Sequence, residues 1–148
     1  MIRTRPLSVA VLAAMLVVPF AISACAMPRD PAGTEDRVAR TGVLRLGIVK
    51  GAVLDEPGRE ALTKILRKTG SVLEVTEADS ESLLTKIKQG EIDLAYGKFA
   101  MSSPWSKEVA FSAAPGLLGK PAKGVAMQRF VMMKGENGWI MLVGKAAR

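Results

Sequence analysis

Cys25 is the only thiol in the sequence, and histidine is absent altogether. Together these facts remove much of the chemistry that a small protein can perform. Histidine is the usual general base near neutral pH and the commonest metal ligand, so its absence argues against hydrolytic triads and most zinc sites. A single Cys cannot form a disulfide within its own chain. The reading is therefore a protein that is not an enzyme and carries neither metal nor cofactor. Carboxylate or lysine chemistry remains open, and the groups read as binding candidates are Lys50, Lys98, Ser102, Ser103 and Trp105. Two ammonium groups and two hydroxyls suit a small polar or anionic solute, and an indole offers an apolar or stacking platform. Met127, Met132, Met133 and Met141 could suit a soft metal, but with no His or free Cys beside them they read as core filling.

Cys25 finds its meaning in what precedes it. Arg3 and Arg5 lead into an apolar stretch from Leu7 to Ile22, interrupted by Ser8 and Pro19. That stretch is too short and too broken for a span of about 20 residues, whereas a positive start before an apolar core is the pattern of an export signal. Ile22-Ser23-Ala24-Cys25 resembles the bacterial lipobox, in which a Cys after small residues is acylated on sulfur and becomes the first mature residue. Residues 1–24 are then a lipoprotein signal peptide, 25–40 a lipidated Cys and flexible linker, and 41–148 the folded domain. Each buried lipid methylene contributes roughly 0.8 kcal/mol, and two or more chains anchor stably. The resemblance implies a position on the periplasmic side of the cell envelope. Ala26 stands where an Asp would resemble an inner-membrane retention signal, which favours an outer membrane where there is one.

Removal of 24 residues leaves 124, enough for one domain. Basic residues fall from 21 to 19 against 14 acids, so the formal charge drops from +7 to +5. The charges are scattered and aromatics are few, which gives no footprint for nucleic acid. A positive surface suits the anionic lipid beside it.

The elements that must position the five binding candidates follow from apolar periodicity. Two prolines and no apolar period make 26–40 a spacer. Val43 to Val49 is dense in branched apolar residues, as a buried parallel strand requires. After Pro57 and Gly58, Leu62, Ile65 and Leu66 recur at helical spacing until Gly70. Val72 to Thr76 reads as a second strand. Asp79 is placed to cap a helix faced by Leu83, Leu84 and Ile87, which Gly90 ends, and Ile92 to Gly97 reads as a third strand. This β-α-β-α-β order predicts a parallel sheet covered by helices. Residues 112–121 carry loop chemistry, Val125 to Met133 reads as a further strand, and Asn137 as the N-cap of a last helix. In that helix Trp139, Leu142, Val143 and Ala146 share a face, so Trp139 is expected in the core. Asp93 is expected to orient a loop as a hydrogen-bond acceptor, and Glu91 to be solvated.

Three segments in order resemble the type 2 periplasmic solute-binding proteins, the family 3 extracellular binding proteins above all: Gly42 to Ile48, Leu83 to Leu94, and Lys107 to Ser112. Val125 to Met133, Lys134-Gly135 and the closing helix are similar to that family's return crossing. The resemblance implies a single three-layer α/β lobe of the type 2 fold, a mostly parallel sheet with helices on both faces. It also implies a role related to ABC transporter substrate-binding components. Family members have two lobes, and only Leu117 to Gly124 stands in place of the second. They also carry a Thr-x-x-Arg element after the third strand, whose guanidinium clamps the ligand carboxylate. Here Ser102 and Trp105 occupy those two positions.

Ligands of open parallel sheets lie at the carboxyl ends of the strands. Lys50 and Lys98 would follow strands one and three there, with Ser102, Ser103 and Trp105 close in sequence. One reading makes them an anion-accepting shelf; the other, preferred on residue type, has solvated lysines and an indole buried at the former lobe interface. The two functions in play are therefore weak or partner-assisted capture of a solute, and an envelope protein-interaction module, with a transporter or envelope protein as partner.

Overall fold

The computed structural model describes residues 30–119, 121, 122 and 124–148. Cys25 and the expected export signal lie outside the described residues. α1 (Thr34–Thr41) occupies the second half of the stretch expected to be a flexible spacer, which corrects that expectation. The helix has a single buried apolar residue, Val38, so no period announces it. It is held instead by tertiary bonds. The Glu136 carboxylate accepts the backbone N–H groups of Ala32 at 2.6 Å and Thr34 at 2.8 Å. In return Asp30 accepts those of Gly138 and Trp139 at the start of the last helix.

β1 (Val43–Val49) leads to α2 (Glu56–Thr69), β2 (Val72–Ala78), α3 (Ser80–Gln89) and β3 (Leu94–Ala100). α2 starts before Pro57 rather than after it, because Asp55 caps it through the Gly58 N–H and proline is compatible with a first turn. Gly58 has to be glycine: a Cβ there would lie 2.5 Å from the Tyr96 hydroxyl oxygen. Asp79 caps α3 and Gly90 ends it, both as expected. β3 begins two residues later than expected because Asp93 is drawn aside as a hub. Its carboxylate pairs with Arg37, accepts the Arg45 backbone N–H at 2.8 Å and accepts Arg45 Nε and Nη2 at 3.2 and 2.8 Å.

After a 3-10 turn at Pro104–Lys107, a short β4 (Val109–Phe111) forms that the sequence did not announce. Three residues are too few to show a period, and β4 exists through its pairing with β5 (Ala126–Met133). α4 (Asn137–Ala146) closes the chain with Glu136, not Asn137, at its N-cap. The sheet order is β2-β1-β3-β5-β4. β1 is parallel to both neighbours, and β5 runs antiparallel to β3 and β4. Four strands therefore point one way and one the other.

Alternating strand residues feed two cores, one on each face. Leu44, Leu46, Leu94, Tyr96, Phe130 and Met132 meet α2 and α4 on one side, with Trp139 fully buried among them. Ala95, Phe99, Val109 and Val131 meet Leu83, Leu84 and Ile87 of α3 on the other. This is the three-layer α/β lobe the sequence predicted. Each fully buried aliphatic side chain contributes about 1.5–3 kcal/mol. Of the methionines read as core, Met132 is fully buried and Met133 packs against the second core, but Met141 is half exposed. It sits on the outer face of α4, two residues from Trp139 and therefore turned away from the sheet.

Candidate functional site

α2 carries the chain from β1 to β2 over one face of the sheet and α3 carries it back from β2 to β3 over the other, so the strand order reverses between the neighbours β1 and β3, the switch point of the sheet. Lys50 follows β1 at this end and is exposed, its backbone N–H donating to Ala78 O at 2.8 Å. Gly51, at φ +82°, turns the chain there. Lys98 does not follow β3 as expected: it lies inside the strand, opposite Gln128, because β3 extends to Ala100. Its side chain is exposed.

Beyond β3 the five candidates separate. Ser102 is exposed and lines an open cavity of about 720 Å³. Ser103 Oγ accepts the Trp105 N–H at 3.3 Å and so starts the 3-10 turn. Trp105 is half-buried against the α3 core, and Lys88 Nζ stands 5.7 Å from its ring centroid. Lys88 also pairs with Glu108. Among the five, only Ser102 lines the cavity.

The cavity lies between the turn after β3 and the crossing from β4 to β5. Met101, Ala113, Ala114 and Val125 give it apolar walls, and Arg129 and Arg148 bring positive charge. Arg129 comes from β5, opposite Gly97 of β3, and is fully buried. Its Nη1 donates to Ser112 O at 3.1 Å, while Nε and Nη2 have no acceptor among the described residues. Burial lowers its pKa from the ordinary arginine value. Ser112 is itself fixed, since its N–H donates to Phe130 O and its Oγ accepts the Phe130 N–H at 3.0 Å.

Sequence reasoning passed over Arg129. The signal was present: one cation, beside Gln128, in an otherwise apolar eight-residue strand, Ala-Met-Gln-Arg-Phe-Val-Met-Met. Whether such a residue turns inward or snorkels out depends on what covers the strand. Asp93, by contrast, behaves as the residue type suggested, organising the turn before β3 and receiving Arg37 and Arg45. Glu91, read as solvated, is exposed and pairs with Lys86 at 2.7 Å. No group of three or more acidic or thiol side chains among the described residues could hold a metal ion.

Solved structures share this architecture. The arginine-bound form of domain 1 from the ArgBP of T. maritima superposes with a TM-score of 0.60 at 18% identity, covering 76% of this chain and 97% of that one. The fold is that of a solute-binding lobe. An ancestral cationic amino acid solute-binding protein superposes at 0.58 with 12% identity, over 77% of this chain and 92% of that one. The periplasmic VFT2 domain of Bordetella pertussis BvgS does so at 0.56 with 12% identity, over 78% and 91%. No protein-family profile matches the sequence, and no curated protein does. The fold is shared with little of the sequence, and Trp105 packs against the α3 core.

Proposed function

We propose that this chain is an extracytoplasmic solute-binding lobe, related to the substrate-binding components of ABC transporters and held to a membrane by lipid on Cys25. It captures a small polar or anionic solute, weakly by itself and more tightly where a transporter or envelope partner covers the open side. The observation that carries this reading is the open cavity beside Ser102, with the buried Arg129 among the residues that line it. Lys50 and Lys98 are exposed cations that raise the local concentration of an anion, and Ser102 supplies a hydroxyl. Ser103 and Trp105 hold the turn that presents it. The related T. maritima structure is a single domain in an arginine-bound form, so one lobe of this fold suffices to hold a solute there. An open site still leaves part of any ligand in water, which limits affinity.

Thermal melting of the full chain in detergent, against pools of amino acids, organic acids and sugars, tests the reading. A ligand at 100 times its Kd stabilises by about 2.7 kcal/mol. Curves that stay flat across every pool would remove solute capture. The exposed apolar surface favours a second reading, an envelope protein-interaction module. Leu118 is fully exposed in the segment where the family inserts its second lobe, and Val72 and Val75 are exposed on the edge strand β2. A photo-crosslinker at Leu118 that traps one specific envelope protein, together with flat melting curves, would establish this reading over solute capture.

A further inference from the structure

Three charged side chains are buried among the described residues: Asp93, Glu136 and Arg129. Asp93 is answered by two arginines, and Glu136 by two backbone N–H groups. Arg129 has one neutral acceptor, the Ser112 carbonyl, and enters none of the ion pairs among the described residues. Residues 1–29, 120 and 123 contain no Asp or Glu, so no acidic side chain elsewhere in this sequence is left to pair with it. An arginine keeps its proton under nearly all conditions, so burial does not discharge it as it would a lysine. A buried charge without a counter-charge is among the costlier arrangements a fold can hold.

The two unanswered donors, Nε and Nη2, lie along one edge of the planar guanidinium. That edge matches both oxygens of a carboxylate, which it receives through two parallel N–H···O bonds. The third nitrogen, Nη1, is tied to Ser112 O, which fixes the plane of the fork. Around it the walls are Met101, Ala113, Ala114 and Val125, with the Ser102 hydroxyl at the rim. A compact apolar body attached to the carboxylate fits those surroundings, and a phosphate, with more oxygens to solvate, fits them less well.

We propose that Arg129 anchors a carboxylate site in this cavity, and that the solute is a small organic acid with a short apolar body. The proposal rests on the reading of the lobe as a solute-binding unit and names the chemistry of its ligand. It places the anchor on β5 instead of in the turn after β3, where Trp105 stands.

The test is thermal melting of the full chain in detergent with butyrate, butyramide and inorganic phosphate at equal ionic strength. Butyrate is expected to raise the melting temperature in a dose-dependent way, and butyramide and phosphate to leave it unmoved. Arg129→Met is expected to melt above the unliganded parent, because a buried charge is gone, and to lose about tenfold or more in butyrate affinity. The Lys64→Ala, Lys68→Ala double variant on α2 is expected to keep the butyrate response within about twofold, because an exposed lysine away from the cavity contributes only a screened charge. A response that survives Arg129→Met, that disappears in the lysine variant, or that phosphate reproduces would overturn the proposal. Should Arg129→Met fail to fold, the Nε–H resonance of Arg129 in the parent decides the matter. A shift with butyrate supports the site, and an unmoved resonance rejects it. If only neutral or cationic solutes raise the melting temperature, the carboxylate site is wrong and solute capture stands; if nothing does, both fall.

Discussion

Arg129 and Asp93 show how similar residue types reach opposite situations. Asp93 binds two guanidinium groups and terminates the loop before β3, while Trp139 Nε1 donates to its backbone carbonyl at 3.1 Å. That constellation joins α1, β1 and α4 at one point and is structural. Asp93→Asn leaves Arg37 and Arg45 without a counter-charge. Both arginines are partly exposed, so water offsets some of the loss; a destabilisation of about 2–3 kcal/mol is expected in urea unfolding. A loss below about 0.5 kcal/mol would show that the carboxylate acts only as a neutral acceptor. Of the binding candidates, the two lysines are exposed, as residue type suggested. Residue type did not identify the guanidinium, because burial is a property of neighbours.

Between elements, two contacts fix the layers. Tyr96 of β3 is fully buried and donates to Asp55 Oδ1 at 2.7 Å, the same oxygen that caps α2 through Gly58 N–H at 2.9 Å. Burial first, and then the bond to Asp55, pushes the Tyr96 pKa well above its ordinary value of about 10. The folded state thus holds this proton more tightly than the unfolded chain does. Its contribution is full below the unfolded pKa and is lost as pH rises through the folded one. Urea midpoints should therefore fall above about pH 10, and Tyr96→Phe should remove the part of that slope due to this phenol, at a cost of about 1 kcal/mol at neutral pH. An unchanged slope in the variant would place the alkaline loss elsewhere. The second contact is the clasp between Glu136 and the chain before α1. Glu136→Ala strands two backbone N–H groups, each worth about 1–3 kcal/mol. Amide exchange is expected to quicken across 30–41 and to stay slow in β3 and β5; protection unchanged in α1 would mean that Val38, the Arg37–Asp93 pair and Asp30 hold it without the clasp.

For the whole molecule, the early start of α1 alters how close the lobe would lie to a membrane. Chain from Cys25 to Asp30 reaches at most about 17 Å when extended, so a lipid on Cys25 would hold the lobe near the bilayer surface. Cys25→Ala is expected to abolish lipid labelling and to release the protein from washed membranes into the soluble fraction. Labelling that persists would refute the anchor.

Local pattern by itself determined the β-α-β-α-β beginning, the glycine stops after α2 and α3, the Asp79 cap and the core position of Trp139. Each of these depends on interactions within a few residues or on the period of one element, and such information is written along the chain. Tertiary structure alone decided that 34–41 is helical, that β4 exists, that Lys98 lies within β3, and that Arg129 is buried without an acidic partner. All four depend on contacts between residues far apart in sequence: Glu136 with Thr34, β4 with β5, β3 with β5, and Ser112 with Arg129. Loop closure over such distances creates neighbours that no local period encodes.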